Sequence, residues 1–178
     1  RNMVLGQDAS FTIESFEKRY NSDLANDYGN LVNRIFILIS KYFDNLIPKK
    51  GKYDLDDNDF IKKIENFTNL SIQNYNNMKI HDGIENTISI FRTVNKFLEE
   101  KAPWKTIKEN KEIAGTTIYL SAEALRIGTI LLYPIIPEKS TQILDSMKCS
   151  YKDDTTFGHL QENSTIDIIK NIFPRIQN

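Results

Sequence analysis

Residues 23–46 read DLANDYGNLVNRIFILISKYFDNL, and this stretch decides the fold. Leu24, Tyr28, Leu31, Ile35, Leu38, Tyr42 and Leu46 recur at spacings of mostly four and three residues. That spacing is one apolar stripe along an α-helix. Ser22 in front of the stretch predicts a helix cap, and Pro48 behind it predicts a stop. Working outward, the same periodicity recurs in both directions, and no alternating strand pattern of useful length interrupts it.

Upstream, a short helix is expected over about Thr12 to Tyr20, after Asp8 and Ser10. Downstream, Pro48-Lys49-Lys50-Gly51 is a loop. A third helix is predicted from about Asp56 to Asn77, with Phe60, Ile64, Phe67 and Leu70 along one face. Asp82-Gly83 opens a fourth from about Ile84, striped by Ile88, Phe91, Val94 and Leu98, which ends at Lys101-Ala102 before Pro103. A fifth begins near Pro103 or Glu109 and reaches about Tyr133. It is apolar nearly all round, which places it at the centre of a bundle. A sixth spans about Glu138 to Met147, residues 151–165 read as loop, and a last short segment covers Ile166 to Ile172. The prediction is an all-α fold, a helical bundle of about five to six helices.

The 178 residues suffice for one domain with a real core. Hydrophobic residues at 40% and charged residues at 26% describe a globular chain. A formal net charge of -1 excludes a global basic footprint, so any nucleic-acid site is local. One cysteine, Cys149, excludes an internal disulfide and a cysteine metal cluster, and fits a reducing compartment. The longest mostly apolar run, Ile127 to Ile136, is broken by Gly128, Thr129 and Pro134 and is too short to span a bilayer. The chain shows no secretory signal and opens Arg1-Asn2-Met3, which reads as a start inside a longer polypeptide.

Enzyme machinery is absent from the pattern. His81 and His159 have no second histidine at helical spacing. Cys149 has no catalytic context, and Gly115 and Gly128 lie inside a predicted helix rather than in a phosphate loop. Asp54, Asp56, Asp57 and Asp59 suit a helix start and lack calcium-loop spacing.

Three features remain. Asn30, Asn33, Arg34 and Lys41 share one edge of the second helix, and read either as a solvated face or as groove-rim donors for nucleic acid. Pro103-Trp104 sets the only tryptophan at a helix mouth, where it closes the core or stacks on an unpaired base. Asn95 falls on the apolar stripe of the fourth helix, so its amide ties helices together or meets a ligand.

Several motifs stand in one order. They are Leu5-Gly6-Gln7-Asp8-Ala9-Ser10-Phe11, Tyr20-Asn21-Ser22-Asp23-Leu24-Ala25-Asn26-Asp27, Gly29-Asn30-Leu31-Val32-Asn33-Arg34, Asn95-Lys96-Phe97-Leu98, Lys101-Ala102-Pro103-Trp104 and Pro134-Ile135-Ile136-Pro137. Together they resemble the part of methionyl-tRNA synthetases that follows the catalytic domain, to about Met147. The resemblance implies an anticodon-binding helical bundle over residues 11–148 that reads the CAU anticodon. Residues 1–10 would be a junction to an N-terminal catalytic domain of the same chain, and residues 149–178 a loop and short helical tail packing back. Trp104 would stack on the first anticodon base, and Pro103 would shape that corner.

Asn30, Asn33 and Arg34 belong to a signature that the resemblance makes structural. The family's base-contacting Asn and Arg would fall at Ile37 and Lys41, where the Asn is not kept and lysine keeps the charge without the paired donors. Asn95 completes the expected anticodon-binding set. No cofactor is expected on this segment. Methionine and ATP with magnesium would act in the catalytic domain of a cytoplasmic ligase that charges tRNA(Met), with no DNA or membrane partner. The rival reading is a helical protein–protein scaffold with Trp104 as its anchor.

Overall fold

The computed structural model describes residues 12–176. Its elements are α1 (Ile13–Arg19), a π-helical segment (Tyr20–Gly29), α2 (Asn30–Phe43), α3 (Leu55–Asn76), α4 (Ile80–Lys101), α5 (Pro103–Thr106), α6 (Lys111–Leu132) and α7 (Pro137–Ser146). Among the described residues the regular structure is helical, apart from one isolated antiparallel bridge between Leu46 and Thr165. The all-α expectation holds. The expected junction at residues 1–10 and the Leu5–Phe11 motif lie outside the described residues.

The predicted break at Ser22 is corrected. Arg19, Tyr20, Gly29 and Asn30 all keep right-handed helical angles, so α1, the π segment and α2 form one continuous helical run. The Ser22 hydroxyl donates to Asp23 Oδ1 instead of capping a helix. In the π segment the backbone bond reaches five residues back, as from Asn30 N–H to the Ala25 carbonyl. Gly29 makes the wide turns fit, because a Cβ there would stand 3.0 Å from the Leu24 carbonyl and 3.3 Å from Phe173 Cβ. The run begins at a Thr12–Ser15 capping box. It stops at Phe43, short of the predicted Leu46, because Asp44 and Asn45 take left-handed angles that such residues tolerate.

Asp54 and Asp57 form a reciprocal box that starts α3, as the acidic cluster predicted. The fourth helix starts at Ile80, a turn before the predicted Ile84. Gly83 does not open it but lies in its first turns, where a Cβ would come within 2.4 Å of the Tyr75 ring. A short connection makes α3 and α4 an antiparallel pair, and Lys101 at the end of α4 meets Asp54 at the start of α3 at 2.6 Å.

Helix α6 occupies the centre, with 18 buried positions along its length. Phe91 of α4 stacks on Tyr28 of the π segment at 4.2 Å, and the Tyr28 hydroxyl donates to Thr129 of α6. Gly128 leaves room for that stack, since a Cβ there would lie 2.5 Å from Phe91 Cε1. Gly128→Ala is therefore expected to destabilise the fold. Overpacking costs about 1–3 kcal/mol, which exceeds the helix-propensity gain of about 1 kcal/mol. A thermal melt followed by circular dichroism checks this, and a raised midpoint would refute it.

Residues 149–176 hold no helix, which corrects the expected short helical tail. Asn163 and Asn171 take left-handed angles and break any helical register. The segment instead crosses the end of α2, where Ile47 N–H donates to the Ser164 carbonyl and Ile166 N–H to the Asn45 carbonyl. Leu160, Ile166, Ile172 and Phe173 enter the core. Beneath the loop lies a fully buried pair on α6, Glu123 and Arg126.

Candidate nucleic-acid interface

The Pro103–Trp104 corner is built from the end of α4. Ala102 turns the chain with φ at 42°, a left-handed angle that is uncommon for a residue with a side chain. Pro103 then opens α5 at the position where a missing N–H costs nothing. The Thr106 hydroxyl donates to the Lys101 carbonyl at 3.0 Å, which closes the turn. The Lys101 amine lies 2.6 Å from Asp54 and 3.1 Å from Asp57. The hydrogen bond from that amine holds the Asp54 carboxyl below its ordinary range. For Lys101, burial acts to lower the amine, but the hydrogen bonds to Asp54 and Asp57 outweigh it and the net shift is upward. The corner is thus pinned to the start of α3.

Pro103 is buried and Trp104 half-buried against the core. The Arg34 guanidinium of α2 lies over the indole, 4.8 Å from its centroid. Glu99 of α4 holds the same guanidinium from 3.8 Å. A planar cation and a rigid indole therefore meet where α2 faces the α4–α5 corner. Such a pair suits an unstacked base, which offers a π-face to the ring and its edges to the guanidinium donors.

Of the residues predicted from sequence, the structure brings Pro103 and Trp104 together. Lys41 is exposed, with its amine 5.1 Å over the neighbouring Tyr42 ring. Ile37 is 58% exposed on the same face. Asn95 is half-buried, and its amide donates to the Asp27 carbonyl at 3.0 Å, tying α4 to the π segment. Arg92 adds to that tie with bonds to Asp27 at 2.7 Å and Asp23 at 3.4 Å. Arg34, expected to be structural, is the α2 side chain that reaches Trp104. Its place on the edge shared with Lys41 was the signal. Which cation meets the corner depends on α5, distant in sequence.

The remaining reactive groups are quiet. Burial pushes the Cys149 thiol up to about 11, which suits an inert thiol. His159 sits 3.0 Å from the Thr156 hydroxyl. Among the described residues, no group of three or more His, Cys, Asp or Glu side chains is placed to hold a metal ion. No described helix is long and apolar enough to cross a membrane.

Comparison with known proteins gives the family. Residues 47–178 match the family model described as the anticodon binding domain of methionyl tRNA ligase. Residues 1–36 match the model of class I tRNA synthetases of the methionine type. A methionine–tRNA ligase of Streptomyces coelicolor is 31% identical over 99% of the chain and 36% of its own length. The Methanosphaera stadtmanae ligase is 33% identical over 76% of the chain and 20% of its own length. The chain thus spans 20–36% of the length of these relatives. Among solved structures, the free Mycobacterium tuberculosis methionyl-tRNA synthetase superposes with a TM-score of 0.91 at 26% identity, covering 100% of this chain and 37% of that one. The same enzyme in complex with methionyl-adenylate gives 0.90 at 25% identity, over 98% and 36%.

Proposed function

Because the chain belongs to the methionyl-tRNA ligase family, as its anticodon-binding domain, we propose that it reads the CAU anticodon of methionine tRNAs at the Trp104 corner. One observation carries the reading. A half-buried indole at a corner fixed by Ala102 and Pro103 lies under the Arg34 guanidinium. RNA loops are read by splaying bases onto aromatic rings and hydrogen-bonding their edges. Trp104 supplies the stacking surface and Pro103 sets its position. Arg34 supplies paired donors to a base edge or phosphate. Lys41 supplies a cation further along α2. Asn95 contributes by holding α4 against the π segment, behind the face that meets the RNA.

In the whole ligase, the charging of tRNA(Met) with methionine at the expense of ATP, with magnesium accompanying the nucleotide, belongs to the class I synthetase part, in the cytoplasm. The methionyl-adenylate complex of the M. tuberculosis enzyme supports that chemistry for the family. This bundle's task is to select the tRNA.

The test is a titration of a CAU stem-loop against Trp104 fluorescence, unambiguous because the chain has one tryptophan. A stem-loop altered at the first anticodon base is the control. A larger and tighter response to CAU is expected. Equal responses, or none at saturating RNA in low salt, would sink the reading in favour of a protein-binding scaffold.

A further inference from the structure

Beyond the Trp104 corner, a groove of about 500 Å³ opens between the end of α2 and the start of α6. Its floor is apolar, with Phe43, Leu46 and Ile47, and its rim carries Lys49, Lys50 and Lys111. We propose that this groove seats the phosphodiester backbone of the RNA strand that flanks the bases read at Trp104. The inference rests on the RNA-binding reading of that corner.

Three observations support it. First, no ion pair among the described residues engages the rim cations. Among the described residues the ion-paired lysines are Lys96, Lys101 and Lys148. The Lys111 amine instead lies 5.2 Å over the Phe43 ring, and the Lys50 amine 5.2 Å over Tyr119. An amine over an aromatic face keeps its charge available on its outer side.

Second, the loop that presents Lys49 and Lys50 is fixed at its backbone. Ile47 N–H donates to the Ser164 carbonyl, and Asn163 N–H to the Ile47 carbonyl, both at 2.9 Å. Gly51 N–H donates to the Thr116 hydroxyl at 2.8 Å. Gly51 also sits so close to α6 that a Cβ there would fall 2.5 Å from Glu112 Oε1. The two cations therefore start from a rigid base, which lowers the ordering cost of binding.

Third, the placement of Lys111 works against the stability of the helix. It is the first residue of α6, where unpaired N–H groups already carry partial positive charge. The carboxylates at this end are the exposed Glu109 just before the helix, and Asp44 and Glu112, which line the groove. Glu112 offsets part of the cost, but its carboxylate is turned to Gly51. Lys105 and Lys108 are exposed on the path from Trp104 to Lys111, so lysines recur at every third residue between the two sites. A polyanion laid along this path satisfies all of them, and an apolar floor accommodates sugar edges.

The experiment replaces Lys49, Lys50 and Lys111 with glutamine together. A control variant removes the same charge at the exposed Lys62, Lys63 and Lys79. Affinities for the CAU stem-loop and for the altered stem-loop are measured against salt concentration. The triple variant is expected to lose about tenfold in affinity for both RNAs. Its log–log salt slope should be shallower by about 2, at roughly 0.7 per single-strand phosphate contact. Its preference for CAU should stay at the wild-type ratio. An unchanged salt slope overturns the inference, and so does an equal loss in the control. A loss confined to CAU also overturns it, because the groove would then read bases. If the wild-type chain binds both RNAs equally while the triple variant still loses slope, the groove stands and the Trp104 reading falls. Binding of neither RNA overturns both.

Discussion

Arg126→Met is expected to cost the fold a large share of its stability. Arg126 and Glu123 are completely buried on α6 and paired at 2.8 Å. The guanidinium also donates to the Asp154 carbonyl at 2.6 Å and the Thr156 carbonyl at 2.7 Å. Glu123 in turn accepts from the Tyr119 hydroxyl and from the N–H groups of Gly158 and Leu160. Removing one partner of such a pair leaves a buried charge and costs about 3–5 kcal/mol. A domain has only about 5–15 kcal/mol in total, so the loss is a large share. Replacing both partners by apolar residues is often neutral elsewhere, but here it would orphan two N–H donors and two carbonyls of the 154–160 loop. The double substitution should therefore also be destabilising. A urea titration checks the loss, and hydrogen exchange at Gly158 and Leu160 locates it. An unshifted urea midpoint would contradict the account.

The second large effect is on recognition. Trp104→Ala should weaken the CAU stem-loop by about 1–3 kcal/mol, the range for one base stacked on an aromatic ring. That is roughly 5- to 150-fold. The altered stem-loop should weaken less, so the preference at the first anticodon base disappears. The helical circular-dichroism signal should survive, because Trp104 is only half-buried and its corner is fixed independently by Lys101, Ala102 and Thr106. A protein that unfolds on this change would make the indole a core residue and Arg34 its packing partner.

The sequence made some of this legible and concealed the rest for physical reasons. Tyr28, Leu31, Ile35 and Leu38 are all buried, because a stripe at helical spacing must meet another apolar surface. The all-round apolar character of α6 likewise dictated its central place. The continuity from α1 to α2 was hidden, since no local pattern distinguishes wide turns from a capped break at Ser22. The same holds for Glu123 and Arg126, which stand as two charges in an apolar helix. Their partners lie in a loop about 30 residues away, as with the Arg126 bond to Thr156. Arg34 and Trp104 pose the widest gap. Both were singled out from sequence, but the contact between them exists only once α4 has returned along the bundle and turned at Ala102.

The C-terminal segment sets the clock of assembly. The Asn21 side chain makes two hydrogen bonds with the backbone of Ile176, 155 residues away. Phe173 meanwhile fills the space beside Gly29 and Tyr28. On a ribosome adding about 5–20 residues per second, the π segment waits roughly 8–30 s before its last neighbour exists. During that interval the part of Tyr28 that Phe173 covers remains an apolar seam. The π segment is thus made well before it is covered, and the domain's yield in cells should depend on how well chaperones shield that seam.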